Sequence, residues 1–251
     1  MRLLSPGLKD KASILMYHSV GSDSAFSQVS SADFSKQLAY LAKKNFQVIK
    51  LSALIEKIKN REDLSNCVCL TFDDGFQDNY EIVFPLLKQY NFPVSIFLAT
   101  DYIGKTYAFS DGITLPILSQ EQIQEMSDSG LVEILPHTAS HAVLDKLDLE
   151  QAKMEIEKSR KTVAEITGKN ISILAYPRGK YNKEILDYLK NNNWQGAVTV
   201  NEGLVESGAD LFELRRNSID SRTSFVQFKG KVSGAIRLYV NLKEKLNLWK
   251  K

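Results

Sequence analysis

The chain has 251 residues, of which 43% are hydrophobic and 25% are charged, and this composition is typical of a globular protein. No apolar run approaches the about 20 residues that a membrane-spanning helix needs, and the N-terminus lacks the apolar core of a secretory signal. The net charge of +2 predicts no nucleic-acid partner. Collagen, coiled coil and integral membrane protein are excluded, and we expect a cytoplasmic protein.

Short apolar runs alternate with segments of helical periodicity along the chain. The predicted strands are, in chain order, 13–17, 46–49, 67–72, 94–99, 131–135, 171–176, 196–200 and 212–219. The predicted helices are 34–41, 51–59, 80–90, 119–130, 149–167 and 182–192. Strands and helices that alternate in this way are typical of an α/β protein with a mostly parallel sheet. Seven or eight strands in a chain of this length favour a closed or nearly closed (β/α) barrel over an open sheet.

Residues with catalytic chemistry directly follow several of the predicted strands. His18 follows the first strand, Asp73 and Asp74 follow the third, and His137 and His141 follow the fifth. In a barrel the C-terminal ends of the strands meet at one rim, so we expect these side chains to lie close together. The chain has 3 histidines, and all of them fall at such positions.

The spacing of His137 and His141 indicates a metal site. On a helical turn, an i, i+4 pair places both imidazoles within reach of one divalent ion. Either Asp73 or Asp74 could complete a set of two histidines and one carboxylate. Two adjacent acids point in different directions, so one can bind a metal while the other accepts a proton from water. Each motif alone would be more typical of a capping pair or a turn, but together they predict a hydrolytic metal site.

Five segments carry a resemblance to the polysaccharide deacetylases of carbohydrate esterase family 4, the NodB homology domain. They are TFDDG at 71–75, HTASH at 137–141, AYPRGKYN at 175–182, LMYHSVG at 15–21 and FQDNY at 76–80. The chain resembles most the poly-N-acetylglucosamine deacetylase subgroup. The resemblance implies a deformed (β/α)7 barrel in a single domain, and we assign residues 1–230 to this catalytic domain.

The resemblance also implies a role for individual residues. Asp74, His137 and His141 would hold a divalent metal, with Zn²⁺ preferred over Co²⁺, Ni²⁺ or Fe²⁺. Asp73 would be the general base that takes a proton from the attacking water. A backbone N–H in the turn 177–179 would help to stabilise the oxyanion. The substrate would be an N-acetylhexosamine unit of a glycan or lipid-linked saccharide, which would lose acetate and keep a free amine.

Two positions depart from the common pattern of the family. No histidine follows His141, so we assign the general acid to His18, because the poly-N-acetylglucosamine deacetylase subgroup uses a histidine near the N-terminus. Ala175 stands where many members have an arginine that is oriented against the base. Either Arg178 or Arg216 could supply the missing positive charge.

Substrate contacts are expected from Pro177, Arg178, Tyr181 and Arg216. Tyr181 lies beside the Pro-Arg-Gly turn, and aromatic faces offer a platform for a sugar ring. Trp194 is expected to pack in the core instead, because it lies between a helix end and the strand at 196–200.

Residues 231–251 are predicted to form a basic amphipathic helix. From position 229 onwards there are seven basic residues against one acidic residue, beside apolar residues at helical spacing. We favour a helix that packs on the barrel and exposes its basic face to solvent. The alternative is a helix on an anionic membrane surface, which would place the protein at the inner face of the membrane.

Three other functions compete with deacetylation of a saccharide. The same fold and metal could act on a different amide, and the missing arginine at position 175 leaves room for that substrate change. A catalytically silent glycan-binding module is less favoured, because the catalytic and metal positions are all occupied. A non-haem iron oxygenase also uses two histidines and a carboxylate but does not need a second aspartate.

Overall fold

The computed structural model describes residues 10–21, 28–108 and 114–234. The strands are β1 Lys11–Tyr17, β2 Ser19–Gly21, β3 Gln28–Ser30, β4 Gln47–Val48, β5 Cys67–Phe72, β6 Val94–Leu98, β7 Thr106–Ala108, β8 Thr114–Pro116, β9 Val132–Pro136, β10 Ile173–Ala175, β11 Gly196–Val198, β12 Val205–Glu206 and β13 Asn217–Ser218. The α-helices are α1 Ser31–Lys43, α2 Leu51–Lys59, α3 Phe84–Tyr90, α4 Gln120–Asp128, α5 Leu149–Thr167, α6 Lys183–Asn191 and α7 Phe225–Ser233. Short helical turns cover Asn79–Val83 (π), Thr100–Tyr102, Leu144–Lys146 and Pro177–Gly179 (all 3₁₀).

Parallel strands form the wall of a barrel. The main sheet has the order β12-β1-β5-β6-β9, with β13 also paired to β1 and β4 paired to β5. Strands β10 and β11 pair in parallel as a separate short sheet. Only β12 runs antiparallel to its neighbour β1 in the main sheet of the described residues. The C-terminal ends of β1, β5, β6 and β9 therefore lie at one rim, as predicted for a (β/α) barrel.

Alternate residues of each strand pack into two different apolar layers. On β1, Ile14 belongs to the layer inside the barrel, and Leu15 belongs to the layer beneath the outer helices. Helix α2 packs on the inner layer. The backbone N–H of Leu51, at the start of α2, donates to Ser95 Oγ near the beginning of β6 at 3.1 Å. Helix α2 therefore closes the N-terminal end of the barrel and leaves the opposite rim for chemistry.

The last predicted strand is much shorter in the structure than in the prediction. Of the segment 212–219, only Asn217–Ser218 is a strand, and Leu214 adds a single bridge to Val198. The Asp210 carboxylate accepts a hydrogen bond from the backbone N–H of Phe212 at 2.9 Å, which folds the start of this segment into a turn. The hairpin formed by β7 and β8 was not predicted.

Helix α7 runs across the predicted boundary at residue 230. It ends at Ser233, and Gly234 follows with a left-handed φ of 70°, a common helix terminator. Most of the predicted basic helix 231–251 lies outside the described residues, since the description ends at residue 234, and it stays a prediction. None of the helices within the described ranges is long and apolar enough to cross a membrane.

Candidate active site

A left-handed turn at the end of β5 separates the two aspartates. Asp74 has φ 71° and Gly75 has φ 76°. Short polar residues such as aspartate tolerate this conformation better than most others. A Cβ atom at position 75 would lie 2.4 Å from Leu98 Cδ2, so the turn requires glycine there. The turn gives the carboxylates of Asp73 and Asp74 different surroundings.

Asp73 is a buried carboxylate in a two-point ion pair with Arg216. Arg216 Nη1 and Nη2 donate to Oδ1 and Oδ2 of Asp73, each at 2.7 Å. Burial alone would raise the pKa of Asp73. The Arg216 guanidinium reverses that effect, with smaller contributions from His137 and His18, so the pKa lies well below its usual value. Asp73 is therefore ionised at neutral pH.

The side chain of Arg216 is enclosed by the protein. It is 0% exposed, and its Nε donates to the backbone oxygen of Thr199 at 2.8 Å. Its guanidinium is enclosed by the protein and paired with Asp73, which favours a role beside the base over the expected contact with substrate. Of the two arginines considered for the charge beside the base, it is Arg216 that pairs with Asp73.

Asp74, His137 and His141 form a cluster that could hold a metal ion. One ligand atom from each lies within 4.8 Å of the others. Asp74 Oδ1 is 3.5 Å from Nε2 of His141 and 3.8 Å from Nε2 of His137. His137 Nδ1 lies 2.8 Å from the backbone oxygen of Ala175, so it carries the proton and leaves the Nε2 lone pair facing the cluster.

The chemistry of these donors fits a divalent metal of the zinc type. Two imidazole nitrogens and one carboxylate leave further coordination positions open, as in catalytic zinc sites. Burial and the neighbouring His137 lower the pKa of His141 to about 4. His141 is therefore neutral at neutral pH, which is the state a metal ligand needs.

The loop that carries both histidines is not the predicted helical turn. Thr138 and His141 both have left-handed backbone conformations, with φ 63° and 59°. Glu155 of α5 explains this shape. Its carboxylate accepts from the backbone N–H of Ser140 at 2.8 Å and from Ser140 Oγ at 2.9 Å, and its backbone oxygen accepts from the N–H of Ala139 at 3.1 Å. These bonds replace the hydrogen bonds of a helix, yet they still bring the two imidazoles to one cluster.

His18 lies at the same rim, one residue after β1. It is half-buried, and its positive form is one of the charges that lower the pKa of Asp73. Its backbone oxygen accepts a hydrogen bond from Asn79 Nδ2 at 3.1 Å. The structure thus brings all three histidines near the two aspartates.

The turn after β10 also reaches the rim. Arg178 is exposed and has φ 56°, and its charge is one of the effects that lower the pKa of His141. Gly179 has φ 66°, and a Cβ atom there would lie 2.9 Å from the backbone nitrogen of Val200. Pro177 itself is buried, so its contribution to a substrate site would come through the shape of the turn.

Tyr181 is half-buried beside this turn. Its ring stacks on Tyr176 with the centroids 4.3 Å apart, and its hydroxyl donates a short hydrogen bond to Glu213. One face of the ring is therefore covered by Tyr176, and a sugar could stack only on the other. Trp194 is buried and donates to Glu157 at 3.1 Å, as expected for a core residue.

Two residues near the site were not indicated by any pattern in the sequence. Tyr107 of β7 lies close enough to Asp74 that the aspartate contributes, after burial, to a raised pKa of the phenol. Glu155, which holds the loop 137–141, sits in a helix rich in charged residues. Neither stands directly after a strand of the barrel, which was the signal that revealed the other residues.

Comparison with known proteins identifies relatives of the same kind. The sequence model of the family Polysaccharide deacetylase matches residues 60–207, more than half of the chain. The poly-beta-1,6-N-acetyl-D-glucosamine N-deacetylase of Staphylococcus epidermidis is 31% identical over 196 residues, which are 75% of this chain and 66% of that protein. The Bacillus subtilis protein YxkH is 30% identical over 207 residues, which are 82% of this chain and 70% of that protein. The chain thus spans about two thirds of the length of these relatives.

Solved structures of deacetylases share the fold. The deacetylase PplD of Streptococcus pyogenes, in complex with acetate, superposes with a TM-score of 0.77 and 25% identity, over 88% of this chain and 98% of that one. IcaB from Ammonifex degensii superposes with a TM-score of 0.76 and 22% identity, over 89% and 97% of the two chains. The similarity confirms the predicted single-domain (β/α)7-type barrel, and the relatives confirm a hydrolase of amide bonds. The chain therefore belongs to the polysaccharide deacetylase family.

Proposed function

We propose that the chain is a metal-dependent N-deacetylase that removes acetyl groups from N-acetylhexosamine units of a glycan or lipid-linked saccharide. One observation carries the proposal: a cluster of one carboxylate and two imidazoles lies directly beside an ionised, buried Asp73. The similarity to the poly-beta-1,6-N-acetyl-D-glucosamine N-deacetylase of Staphylococcus epidermidis supports a polymer of N-acetylglucosamine as the substrate class.

Asp74, His137 and His141 would hold the metal, with Zn²⁺ preferred and Co²⁺, Ni²⁺ or Fe²⁺ as alternatives. A bound divalent ion supplies Lewis-acid polarisation of a water molecule and of the acetamide carbonyl. His137 and His141 would each supply an imidazole nitrogen and Asp74 a carboxylate oxygen, which is a donor set that suits a divalent ion of the zinc type.

Asp73 would act as the general base and His18 as the general acid. The ion pair with Arg216 keeps Asp73 ionised and fixes its carboxylate plane, so that it can accept a proton from the attacking water. His18 would donate a proton to the nitrogen of the amine as the C–N bond breaks, because an unprotonated amide nitrogen is a poor leaving group. Acetate and a sugar amine would be the products.

The turn Pro177–Gly179 would contact the substrate and help to stabilise the negative charge on the reacting carbonyl oxygen. Its left-handed Arg178 and Gly179 place backbone groups at the rim, and backbone N–H groups are effective oxyanion donors. Arg178 is exposed beside the cluster and Tyr181 presents one free ring face, so both stay proposed substrate contacts.

A different amide substrate was considered because position 175 lacks the arginine that many members of the family have. Arg216, directly before β13, pairs with Asp73, so a positive charge is present beside the proposed base. The cytoplasmic location and the membrane contact of the segment 231–251 stay predictions.

The proposal is tested by acetate release from N-acetylhexosamine oligomers and lipid-linked sugars, with Zn²⁺ or Co²⁺ supplied. Asp74→Ala is the control, since it removes one proposed ligand and leaves Asp73 in place. We expect release that requires both the metal and Asp74. No release from any member of the panel, with one equivalent of metal bound, would contradict the proposed substrate class.

A further inference from the structure

The backbone on both sides of His18 is tied to the segment that follows β5. The oxygen of Tyr17 accepts a hydrogen bond from the N–H of Asp73 at 3.0 Å. The oxygen of His18 accepts from Asn79 Nδ2 at 3.1 Å. Since Asn79 is 0% exposed, this second bond is shielded from competing water.

Asp78 fixes the next two residues. Its Oδ2 accepts a short hydrogen bond from Ser19 Oγ, and its Oδ1 accepts from the backbone N–H of Val20 at 3.2 Å. Asn79 Nδ2 also donates to Oδ1, at 2.8 Å, which ties the two side chains of this pair together. Gln28 Nε2 donates to Ser19 Oγ at 3.2 Å and completes the network.

Asp78 is half-buried, and removing a carboxylate even partly from water is costly, so this network calls for an explanation. Among the residues that the structure describes, none forms an ion pair with Asp78, and burial raises its pKa to about 6. Three donors converge on it, and two of them belong to the segment 19–20 that directly follows His18. These hydrogen bonds hold the backbone that follows His18, although among the described residues Oδ1 of Asn79 and Oε1 of Gln28 have no hydrogen-bond partner.

The same short segment thus carries the proposed base and the groups that hold the proposed acid. Asp73 and Asp74 directly follow β5, Asp78 comes four residues after Asp74, and Asn79 opens the π-helical turn Asn79–Val83. Such π-turns occur often at functional sites. The relative position of the proposed acid and the proposed base therefore depends on hydrogen bonds between the segment after β1 and the segment after β5. It does not depend on the packing of distant helices.

We infer that Asp78 and Asn79 are positioning residues. They hold the backbone around His18 so that its imidazole lies where it can protonate the leaving amine. The inference rests on the proposed function, because it needs His18 to be the acid. Asp78 and Asn79 touch the backbone around His18 and take no part in proton transfer themselves. A positional error of about 1 Å in a catalytic group can cost about 100-fold in rate, so small shifts of this segment would be visible.

The test compares two substrates that differ in their need for an acid. An N-acetylglucosamine oligomer releases an amine that must be protonated, whereas 4-nitrophenyl acetate releases a phenolate that is stable without a proton. Rates on both are measured for the metal-loaded wild type and for His18→Ala, Asp78→Ala and Glu81→Ala. Glu81 is the matched control, since it is an exposed carboxylate of the same turn that accepts from Gln77 Nε2 at 2.7 Å.

We expect Asp78→Ala to behave like His18→Ala: the amide rate falls about 100-fold and the ester rate stays within about twofold. Glu81→Ala should leave both rates unchanged. Ser19→Ala, which removes one bond of the network, should produce a smaller loss in the same direction and serves if Asp78→Ala does not fold.

Two results would overturn the inference alone. An equal loss of both rates in Asp78→Ala and Ser19→Ala would mean general damage to the fold, and no loss in either variant would mean that His18 needs no support. A different result would overturn the proposed acid itself and the inference with it, namely an unchanged ratio of amide to ester rates in His18→Ala. The outcomes for the His18 and Asp78 variants therefore separate the two failures.

Discussion

Arg216 and Asp73 form a two-point ion pair that solvent does not reach, with the arginine 0% and the aspartate 2% exposed. The two residues are 143 positions apart in the chain, so the pair exists only when the barrel has closed. The pair joins the segment beside β13 to the end of β5. The same ion pair therefore holds the barrel closed and keeps the proposed base ionised.

We expect Arg216→Met to raise the pKa of Asp73, because burial would no longer be opposed by the guanidinium. The base would then become ionised only at higher pH, so the acid limb of the profile of kcat/KM against pH moves to higher pH. Loss of one partner of a buried ion pair also costs about 3–5 kcal/mol in the free energy of unfolding. The measurements are a pH–rate profile and urea unfolding. An acid limb that stays at the wild-type pH would show that Arg216 does not control the base.

Asp73→Asn is expected to keep the metal and to lose activity. The amide has the size of the carboxylate but cannot accept a proton at neutral pH, so the rate should fall by about 10² to 10⁴. Metal content, measured after dialysis, should equal that of the wild type, since Asp73 lies outside the proposed ligand set. A rate within tenfold of the wild type would contradict its role as the base.

His141→Ala should lose most of the bound metal. Only two donors of the cluster would remain, and a catalytic zinc site usually has three protein ligands. Metal content by atomic emission is the direct measurement, with Lys161→Ala, an exposed substitution on α5, as the control. Full occupancy in His141→Ala would refute its assignment as a ligand.

The positions of the site residues could be predicted from sequence because a parallel barrel delivers strand ends to one rim. His18, Asp74 and His137 needed only this rule and correct strand assignment. For the positive charge beside Asp73 the sequence left two candidates, Arg178 and Arg216, and this rule could not choose between them. Arg216 stands next to a strand of only two residues whose pairing with β1 depends on the closed barrel. Sequence periodicity carries no information about such a contact.

The shape of the loop 137–141 was also beyond the sequence. The i, i+4 spacing of its histidines indicated a helical turn, but the loop reaches the same result with two left-handed residues. Its shape depends on Glu155, a residue of α5 that is one of many acids in a charged helix. A tertiary hydrogen bond overrode the local pattern here.

Glu155→Ala should therefore weaken metal binding without removing a ligand. Residues that orient metal ligands typically change affinity by about 10- to 100-fold when they are substituted. Affinity is measured by competition with a chromophoric zinc chelator. Glu165→Ala is the matched control, because Glu165 is an exposed carboxylate of α5 that pairs with Lys161 at 3.7 Å. Equal zinc affinities for the two variants would contradict a role of Glu155 in holding the loop.

The raised pKa of Asp78 predicts that the free energy of unfolding depends on pH, and it defines the direction of the change. Burial raises its pKa from 3.8 to about 6 in the folded protein, whereas the unfolded chain ionises near the ordinary value. Between these two values the folded state holds a proton that the unfolded state has lost, so the free energy of unfolding falls as pH rises. A pKa difference of about 2 corresponds to about 3 kcal/mol.

Asp78→Asn cannot ionise and should lack this fall. Urea unfolding of both proteins at pH 4, 5, 6 and 7, with a chelator present to exclude metal effects, measures the difference in the free energy of unfolding. The amide oxygen of the variant can still accept from the N–H of Val20, but the acceptor for Ser19 Oγ is lost, and this loss lowers the stability by an amount that does not depend on pH. From pH 4 to pH 7 the free energy of unfolding of the variant should therefore rise relative to that of the wild type. A difference that stays constant over this range would show that Asp78 ionises normally in the folded protein.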